Sequence, residues 1–173
     1  MTATRMSSAR RSPRSGRRAL AAALLTGAGV MFTPLAAQAS ATAPPVTAPV
    51  AQVAAPTAAA QIAVDTALAQ LGDAYVWAGA GPDVFDCSGL TEFAYAAAGI
   101  ALPHSSGMQS TIGTPVSRAD LQPGDLVFFY SPVGHVGMYI GNGQMVHAPT
   151  TGDVVRIANV DDVWGFNSAR RLS

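Results

Sequence analysis

Residues 84–100 read VFDCSGLTEFAYAAAGI and predict a helix that carries the only cysteine of the chain. The helix should begin at Asp86 or Cys87 and end at Gly99. Its apolar stripe recurs at helical spacing and comprises Leu90, Phe93, Ala94 and Ala97. Cys87 therefore lies at the amino end of a helix, where free backbone N–H groups and the positive end of the helix dipole stabilise a thiolate.

The single cysteine predicts chemistry rather than packing. One thiol cannot form an internal disulfide, so it is either a buried, inert side chain or a reactive one. Its neighbours Asp86, Ser88 and Gly89 are small or polar, which does not suit a core position. We expect Cys87 to be a nucleophile, which needs a base within hydrogen-bond reach and a further group that orients the base.

The amino-terminal residues have the features of an export signal. Six of the ten arginines lie in the first eighteen residues, and an apolar run over residues 19–32 follows them. Small residues at Ala37 and Ala39 then offer a cleavage site. We predict a secretory signal peptide over residues 1–39, cut after Ala39 or Ala41. A membrane anchor is the alternative, but the apolar run is short for a bilayer span.

The rest of the chain divides into a linker and one domain. Residues 40–60 are mostly Ala, Pro, Val and Thr and predict an extended linker, because repeated prolines prevent a continuous helix. Residues 61–173 have the length of one domain and carry ten acidic residues against four arginines, a net charge of −6. A domain of that charge has no basic surface for phosphate backbones, so we expect no nucleic-acid partner. We expect a secreted monomer with no membrane span in its mature form.

The domain places helices first and strands afterwards, which is an α+β order. Residues 61–72 predict the first helix, with an apolar face made of Ile62, Ala63, Ala67 and Leu71. Ser105 or Ser106 should cap a short third helix. Four segments rich in β-formers then predict an antiparallel sheet: PGDLVFFY, GHVGMYIG, GQMVHA and VVRIANV.

Two histidines fall on neighbouring predicted strands. Strand alternation assigns one face of the first strand to the core, namely Val136, Met138 and Ile140. His135 lies on the opposite face, where Gly137 leaves space beside it. A three-residue turn over residues 141–143 would place His147 opposite Gly137, one diagonal step from His135. A two-residue turn would instead pair His147 with Met138 and bury it in the core, so we favour the first register on burial cost.

Four blocks of the domain occur in the order and spacing of a known family: YVWAGAGPDVFDCSGL, LPHSSGMQ, LQPGDLVFFY and GHVGMYIGNGQMVHA. Together they resemble the NlpC family of cell-wall cysteine peptidases, from about residue 61 to the C-terminus. The resemblance implies a compact papain-like α+β fold in which amino-terminal helices pack on an antiparallel sheet. It also implies hydrolysis of peptidoglycan stem peptides, typically between D-glutamate, joined through its γ-carboxyl, and a diamino acid such as diaminopimelate. We expect no cofactor.

The resemblance also implies roles for individual residues. By matching positions, Cys87 is the nucleophile, His135 the general base and His147 the polar residue that orients the base. Tyr75 would help to hold the oxyanion or the substrate.

Asp86 and Ser88 flank the nucleophile, and the resemblance implies that they contact the stem peptide.

Two positions depart from the family pattern. Ala78 stands where the family usually has glycine, and His104 stands where it usually has arginine. We predict His104 to be a solvated loop residue. If the family's arginine binds a substrate carboxylate, the affinity or its pH dependence should differ here.

Three alternatives stay open from the residues. Cys87, His135 and His147 could hold zinc, although no short-spaced ligand pair is present. The same Cys–His pair could serve an amidase or an acyltransferase, and the domain could be a wall-binding module without turnover. Asp125 is predicted to shape a turn. The four arginines after residue 60 are predicted to be surface charges by default, and any one of them could instead receive a stem-peptide carboxylate.

Overall fold

The computed structural model describes residues 53–173. The predicted signal peptide over residues 1–39 and the predicted linker up to residue 52 lie outside the described residues. Within the described part, no helix is long and apolar enough to cross a membrane. The helices and strands, in chain order, are α1 (Ala58–Leu68), β1 (Ala74–Tyr75), β2 (Val84–Phe85), α2 (Cys87–Ala97), α3 (Ser106–Gln109), β3 (Thr114–Val116), β4 (Leu126–Phe129), β5 (His135–Gly141), β6 (Gln144–His147), β7 (Arg156–Asn159) and β8 (Phe166–Arg171).

The larger sheet has six strands in the order β3-β8-β4-β5-β6-β7, and every neighbouring pair is antiparallel. Strands β1 and β2 form a separate parallel pair just before α2. The predicted α+β class is confirmed, with helices at the amino-terminal end and an antiparallel sheet after them. Of the sheet, strands β4 to β7 are the four predicted segments.

Both faces of the sheet are covered by apolar side chains. The core on the helix side joins α1 and α2 to β4, β5 and β6, and it includes the predicted inward residues Val136, Met138 and Ile140. A smaller cluster covers the other face and includes Val127, Phe129, Met145, Val160 and Ala169. The alternation predicted for β5 is therefore confirmed, because His135 and Gly137 face away from the helices.

Helix α1 differs from its prediction in both ends and in its buried face. It begins at Ala58, inside the segment predicted as linker, because the Thr57 side chain caps it by accepting from the N–H of Ala60. It ends at Leu68, before the predicted stop at Gly72. Its buried residues are Ala60, Ala63, Val64 and Ala67, whereas Ile62 and Leu71 are exposed. These buried residues recur every three or four positions, as on one face of a helix, and their small side chains let α1 lie close to α2.

Helix α2 begins at the predicted place. Asp86 is its N-cap, and the Asp86 side chain accepts a hydrogen bond from the N–H of Gly89. The helix ends at Ala97, two residues before Gly99, which adopts a left-handed conformation. Of the predicted stripe, Leu90 and Ala94 are fully buried, but Ala97 is exposed and Tyr95 takes its place in the core.

The hairpin between β5 and β6 reaches the predicted register by a different turn. Gly141 pairs with Gln144, so the loop has two residues rather than three, and both Asn142 and Gly143 have positive φ. A bulge between Tyr139 and Gly141 then shifts the ladder, and Met138 pairs with Val146. The next position along the ladder therefore brings His147 beside Gly137, as the preferred register predicts.

Two strands of the larger sheet and one ion pair were not predicted. Strand β3 contains a proline and β8 reads FNSARR, so neither shows apolar alternation. Asp125 is buried, accepts from the N–H of Gln122 in the predicted turn, and also pairs with Arg171 through both carboxylate oxygens at 2.8 and 2.7 Å. The prediction that Arg171 is a simple surface charge is wrong, because this pair ties β8 to the turn before β4.

Candidate active site

Cys87 is the first residue of α2 and lies at the wall of a cleft. It is half-buried and packs against the helix-side core. Three backbone N–H groups act on its sulfur, from Val136, from Ser88 and from Cys87 itself. The first of these belongs to the residue after His135, so the start of α2 and the start of β5 meet at the cysteine.

The close fit of α2 against the preceding loop depends on Gly89. A methyl group at this position would overlap the carbonyl oxygen of Gly79, and Gly79 itself lies against the backbone of Val76 and Phe85. The backbone of Asp86 also donates to the Gly79 carbonyl at 2.8 Å. The glycine after Cys87 is therefore needed for the position of the nucleophile, since a side chain there would push the helix away from the loop.

The Asp86 carboxylate joins three segments around the cysteine. It accepts from the N–H of Gly89 at 2.7 Å, from the hydroxyl of Ser88 at 3.1 Å and from the N–H of Ala78 at 2.9 Å. The imidazole Nε2 of His104 lies 2.8 Å from both of its oxygens. A carboxylate has about four acceptor positions, so these protein groups occupy the Asp86 side chain almost completely.

His104 lies in an exposed loop, as predicted, but its ring also contacts two carboxylates, which the sequence did not reveal. Its Nε2 pairs with both oxygens of Asp86, and its Nδ1 lies 3.6 Å from Oε2 of Glu92 on α2. Both ring nitrogens thus face carboxylates, and the imidazole joins the LPHSS loop to the first turns of α2. His104 stands where the family usually has arginine, and like arginine it can donate hydrogen bonds.

His135 and His147 form the second half of the site. The Nε2 atom of His135 lies 2.9 Å from Nδ1 of His147, and both side chains are buried, with 6% and 2% of their surfaces exposed. The missing side chain of Gly137 makes room for them, because a methyl group there would contact the Met145 sulfur and lie 3.4 Å from Cβ of His147. The ring of Phe129 packs beside His135 at a centroid distance of 5.9 Å.

Burial changes the proton affinities of this pair. It lowers the pKa of His135 to about 4, and it lowers the pKa of His147 to about 4, with further lowering by His135 and Arg156. Burial also raises the pKa of Cys87, and the charge of Asp86 acts in the same direction. The N–H groups of Val136, Ser88 and Cys87 lower the pKa but have the smaller combined effect.

The expectation that the helix end makes Cys87 acidic is therefore not met in the resting site. Desolvation and the charge of Asp86, the helix cap, together raise the pKa of Cys87 by more than the backbone N–H groups lower it. At neutral pH the resting site therefore has a Cys87 thiol and a neutral His135 imidazole. A neutral imidazole can accept the thiol proton during attack, so the pair retains the chemistry of a nucleophile and a base.

Two cavities flank the pair and meet at Gly134. The Cys87-side cavity has a volume of about 340 Å³ and is lined by Cys87, Asp86, Ser88, His104 and Trp77. The His135-side cavity has a volume of about 280 Å³ and is lined by His135, His147, Tyr130, Thr150 and Arg156. Substrate atoms can therefore approach the pair from both sides.

Tyr75 and Ser88 lie at the nucleophile's side of the cleft. Burial raises the pKa of Tyr75, and nearby Cys87 and Asp86 raise it further. The role of Tyr75 in oxyanion or substrate binding stays a prediction. Ser88 is buried, and its hydroxyl donates to Asp86.

Gln109 is a supporting residue that the sequence did not reveal. It is fully buried, its Nε2 donates to the carbonyls of Ser88 and Pro103, and its Oε1 accepts from the hydroxyl of Thr91. It therefore fixes α3 and the LPHSS loop to the start of α2. In the sequence, the only sign of this role is that the glutamine follows shortly after Ser105 and Ser106, and that sign is weak.

Comparisons with known proteins agree with this arrangement. The model of the NlpC/P60 family matches residues 72–168, which include Cys87, His135 and His147. The chain belongs to the NlpC/P60 family. The resemblance inferred from the four sequence blocks is thereby confirmed, and so is the NlpC-type α+β fold.

Relatives in the NlpC/P60 family share between a third and a half of the aligned residues. A protein of Mycobacterium tuberculosis named as a probable endopeptidase is 51% identical over 108 residues, which are 62% of this chain and 28% of that protein. The crystal structure of an NlpC/P60 family protein from Bacillus cereus has a TM-score of 0.63 and 38% identity, over 69% of this chain and 41% of that one. The NlpC/P60 domain of the peptidoglycan hydrolase SagA has a TM-score of 0.61 and 33% identity, over 65% of this chain and 98% of that one. The chain thus spans about a quarter of the mycobacterial relative.

Proposed function

We propose that this chain is a secreted, cell-wall-associated hydrolase that cleaves peptidoglycan stem peptides between D-γ-glutamate and a diamino acid. Cys87 is the nucleophile, His135 the general base and His147 the orienting residue. The observation that carries the proposal is the hydrogen bond between His135 and His147, whose nitrogens lie 2.9 Å apart, next to Val136, the residue whose backbone N–H lowers the pKa of Cys87. Membership of a family with a member named as a peptidoglycan hydrolase supports the substrate.

The hydrogen bond between the histidines assigns the two nitrogens of His135. Because Nε2 is engaged with His147, Nδ1 is the nitrogen that accepts the proton of Cys87. A lone pair on Nδ1 requires the proton of neutral His135 to be on Nε2, which then donates to Nδ1 of His147. Neutral His147 in turn carries its proton on Nε2. The orienting residue therefore fixes the tautomer in which His135 can act as a base.

Acylation follows from these proton positions. As the Cys87 sulfur bonds to the carbonyl carbon of the γ-glutamyl amide, its proton moves to Nδ1 of His135. Backbone N–H groups in the first turn of α2 and the Tyr75 hydroxyl stabilise the oxyanion, at about 3 kcal/mol per donor. His135 then gives the proton to the amide nitrogen, the carbon–nitrogen bond breaks, and the diamino acid leaves as a free amine.

Deacylation repeats the proton transfers with water. His135 takes a proton from a water molecule as its oxygen attacks the thioester carbon, and the carbon–sulfur bond breaks. The proton returns to the sulfur, and a peptide ending in D-glutamate is released. Asp86 and His104 take no proton in this sequence, and they hold the helix end that carries the nucleophile. Contacts of Asp86 and Ser88 with the stem peptide stay predictions.

Product analysis of digested muropeptides tests the proposal. Purified peptidoglycan and defined muropeptides are incubated with the reduced protein, and the products are identified by mass. The proposal expects a new free amine on the diamino acid and a peptide that ends in D-glutamate. A freed lactyl group on the sugar would indicate an amidase instead. Binding of peptidoglycan without any product would indicate a wall-binding module.

A further inference from the structure

The two cavities of the cleft differ in which partner of the reaction they can hold. Cys87 lines one and His135 lines the other, with Gly134 between them. The acyl group becomes bonded to the sulfur, whereas the leaving amine must lie beside the imidazole that protonates it. The Cys87-side cavity therefore receives the acyl half of the substrate, and the His135-side cavity receives the leaving residue.

The His135-side cavity contains a cation. Arg156 lies directly opposite His147 in the pairing of β6 with β7, and its side chain lines the cavity. Asp153 accepts from its Nε at 3.1 Å. Among the described residues the two terminal nitrogens of this guanidinium meet no acceptor. These nitrogens form the edge that binds a carboxylate through two parallel hydrogen bonds.

The cavity is also bordered by a buried donor that lacks a partner. His147 is 98% buried, and its Nε2 has no hydrogen-bond partner within the part of the chain that the structure describes. The tautomer required for catalysis puts a proton on this nitrogen, so it is a donor in need of an acceptor. A buried donor without an acceptor is costly, so the site is incomplete without a polar group supplied from outside the protein.

We propose that the His135-side cavity is the leaving-residue subsite and that Arg156 binds a carboxylate on the side chain of the leaving diamino acid. This inference rests on the proposed function and specifies its substrate. A diamino acid of the diaminopimelate type ends in both a carboxylate and an ammonium. These groups complement Arg156 and its partner Asp153, whereas a lysine side chain would bring only an ammonium to the arginine.

A set of three peptides tests this assignment. Each contains L-alanyl-γ-D-glutamate joined to a diamino acid, which is diaminopimelate, the same residue with its side-chain carboxyl converted to an amide, or lysine. We expect the wild-type protein to cleave the first peptide with a kcat/KM about tenfold or more above the other two, since a charge-assisted contact is lost in both. In Arg156→Gln the three values should lie within about twofold of one another.

The control is Arg118→Gln, which removes an exposed arginine that pairs with Asp161 away from both cavities. It should keep the wild-type preference. Arg156 is exposed on an edge strand, so its variant should fold, and its circular dichroism and melting temperature verify this. An unchanged preference in Arg156→Gln, or equal cleavage of the three peptides by wild type, would overturn the subsite assignment and leave the proposed function standing. If folded wild type cleaved none of them, the proposed function itself would fall.

Discussion

On one side of the cleft, the carboxylate of Asp86 gathers hydrogen bonds from a loop, from the first turn of α2 and from His104. On the other side, His135 and His147 share one hydrogen bond and are both buried, with the ring of Phe129 beside His135. The position of the nucleophile is thus determined by a polar network. The proton affinity of the base is determined by burial. The two sides should therefore respond to different perturbations, the first to changes in shape and the second to changes in pH.

Among substitutions that leave Cys87 and His135 in place, the largest effect is expected from Gly89→Ala, which disturbs the nucleophile's side alone. The added methyl group overlaps the Gly79 carbonyl, so the start of α2 must move. Displacing a reacting group by about 1 Å can cost 10²-fold in rate, so we expect kcat to fall by about 10²- to 10³-fold. Kinetics on the diaminopimelate peptide measure this.

Gly99→Ala is the matched control for that variant. Gly99 follows the other end of α2 and has open space around it, although its positive φ makes alanine somewhat strained. We expect a small loss of stability and nearly unchanged kcat. Equal kcat values for Gly89→Ala and the wild type would show that the close contact with Gly79 does not position the nucleophile.

The next effect concerns the base's side. His147→Ala removes the acceptor that fixes the tautomer of His135, and we expect kcat to fall by about 10²-fold. His147→Asn can still offer an oxygen to the Nε2–H of His135, so its loss should be smaller, about tenfold. Turnover of the same peptide by the two variants gives the comparison. Equal losses would mean that the second histidine acts through packing rather than through its hydrogen bond.

Acid should weaken the folded state through the same two histidines. Their folded-state pKa values of about 4 lie below the ordinary value of 6.5, so the unfolded chain binds more protons between these values. Their contribution to stability is complete above pH 6.5 and is lost as the pH falls toward 4. We expect about 2 kcal/mol per histidine to be lost between pH 7 and pH 5, measured by urea unfolding.

A double variant isolates the histidine contribution to acid sensitivity. In His135→Asn/His147→Asn, neither position can take up a proton in this range, so the free energy of unfolding should change less between pH 7 and pH 5. The negative charge of Asp153 and the positive charge of Arg156 stay near the site in both proteins. An identical pH dependence in the two proteins would mean that the histidines are not the groups that burial holds neutral.

The smallest effect is expected at His104. His104→Leu removes the contact with both oxygens of Asp86, and we expect a fewfold loss of kcat and about 1 kcal/mol of stability, because this ring is partly exposed. His104→Arg restores donors to Asp86 and should lie close to the wild type. If the arginine variant lost as much as the leucine variant, the contact with Asp86 would not be what matters at this position.

The predictions from local sequence patterns were correct for the features that depend on residues close together in the chain. The start of α2, the Ser105 cap and the alternation of β5 each follow from neighbours a few residues apart. The β5–β6 hairpin shows the limit of such rules. Its turn was predicted with three residues and has two, but the bulge near Ile140 restores the predicted register, because that register keeps Val146 buried and His147 beside His135.

Contacts between residues far apart in the chain could not be predicted from the sequence. The ion pairs of His104 and Arg171 were not predicted, because their partners Asp86 and Asp125 lie 18 and 46 positions away. Strand β8 carries polar residues on both sides, so only its neighbours β3 and β4 define it. The raised pKa of Cys87 has the same origin. The position of Cys87 at the start of a helix was visible in the sequence, but its burial against the helix-side core was not.

The central claim is that Cys87 and His135 act as one catalytic unit, and a double-mutant cycle on the diaminopimelate peptide tests it most directly. Turnover is measured for the wild type, Cys87→Ala, His135→Ala and the variant with both changes. The account predicts that each single change lowers kcat by about 10³-fold or more and that the double variant is no slower than the slower single one. Wild-type turnover by either single variant, or losses that multiply in the double variant, would contradict it.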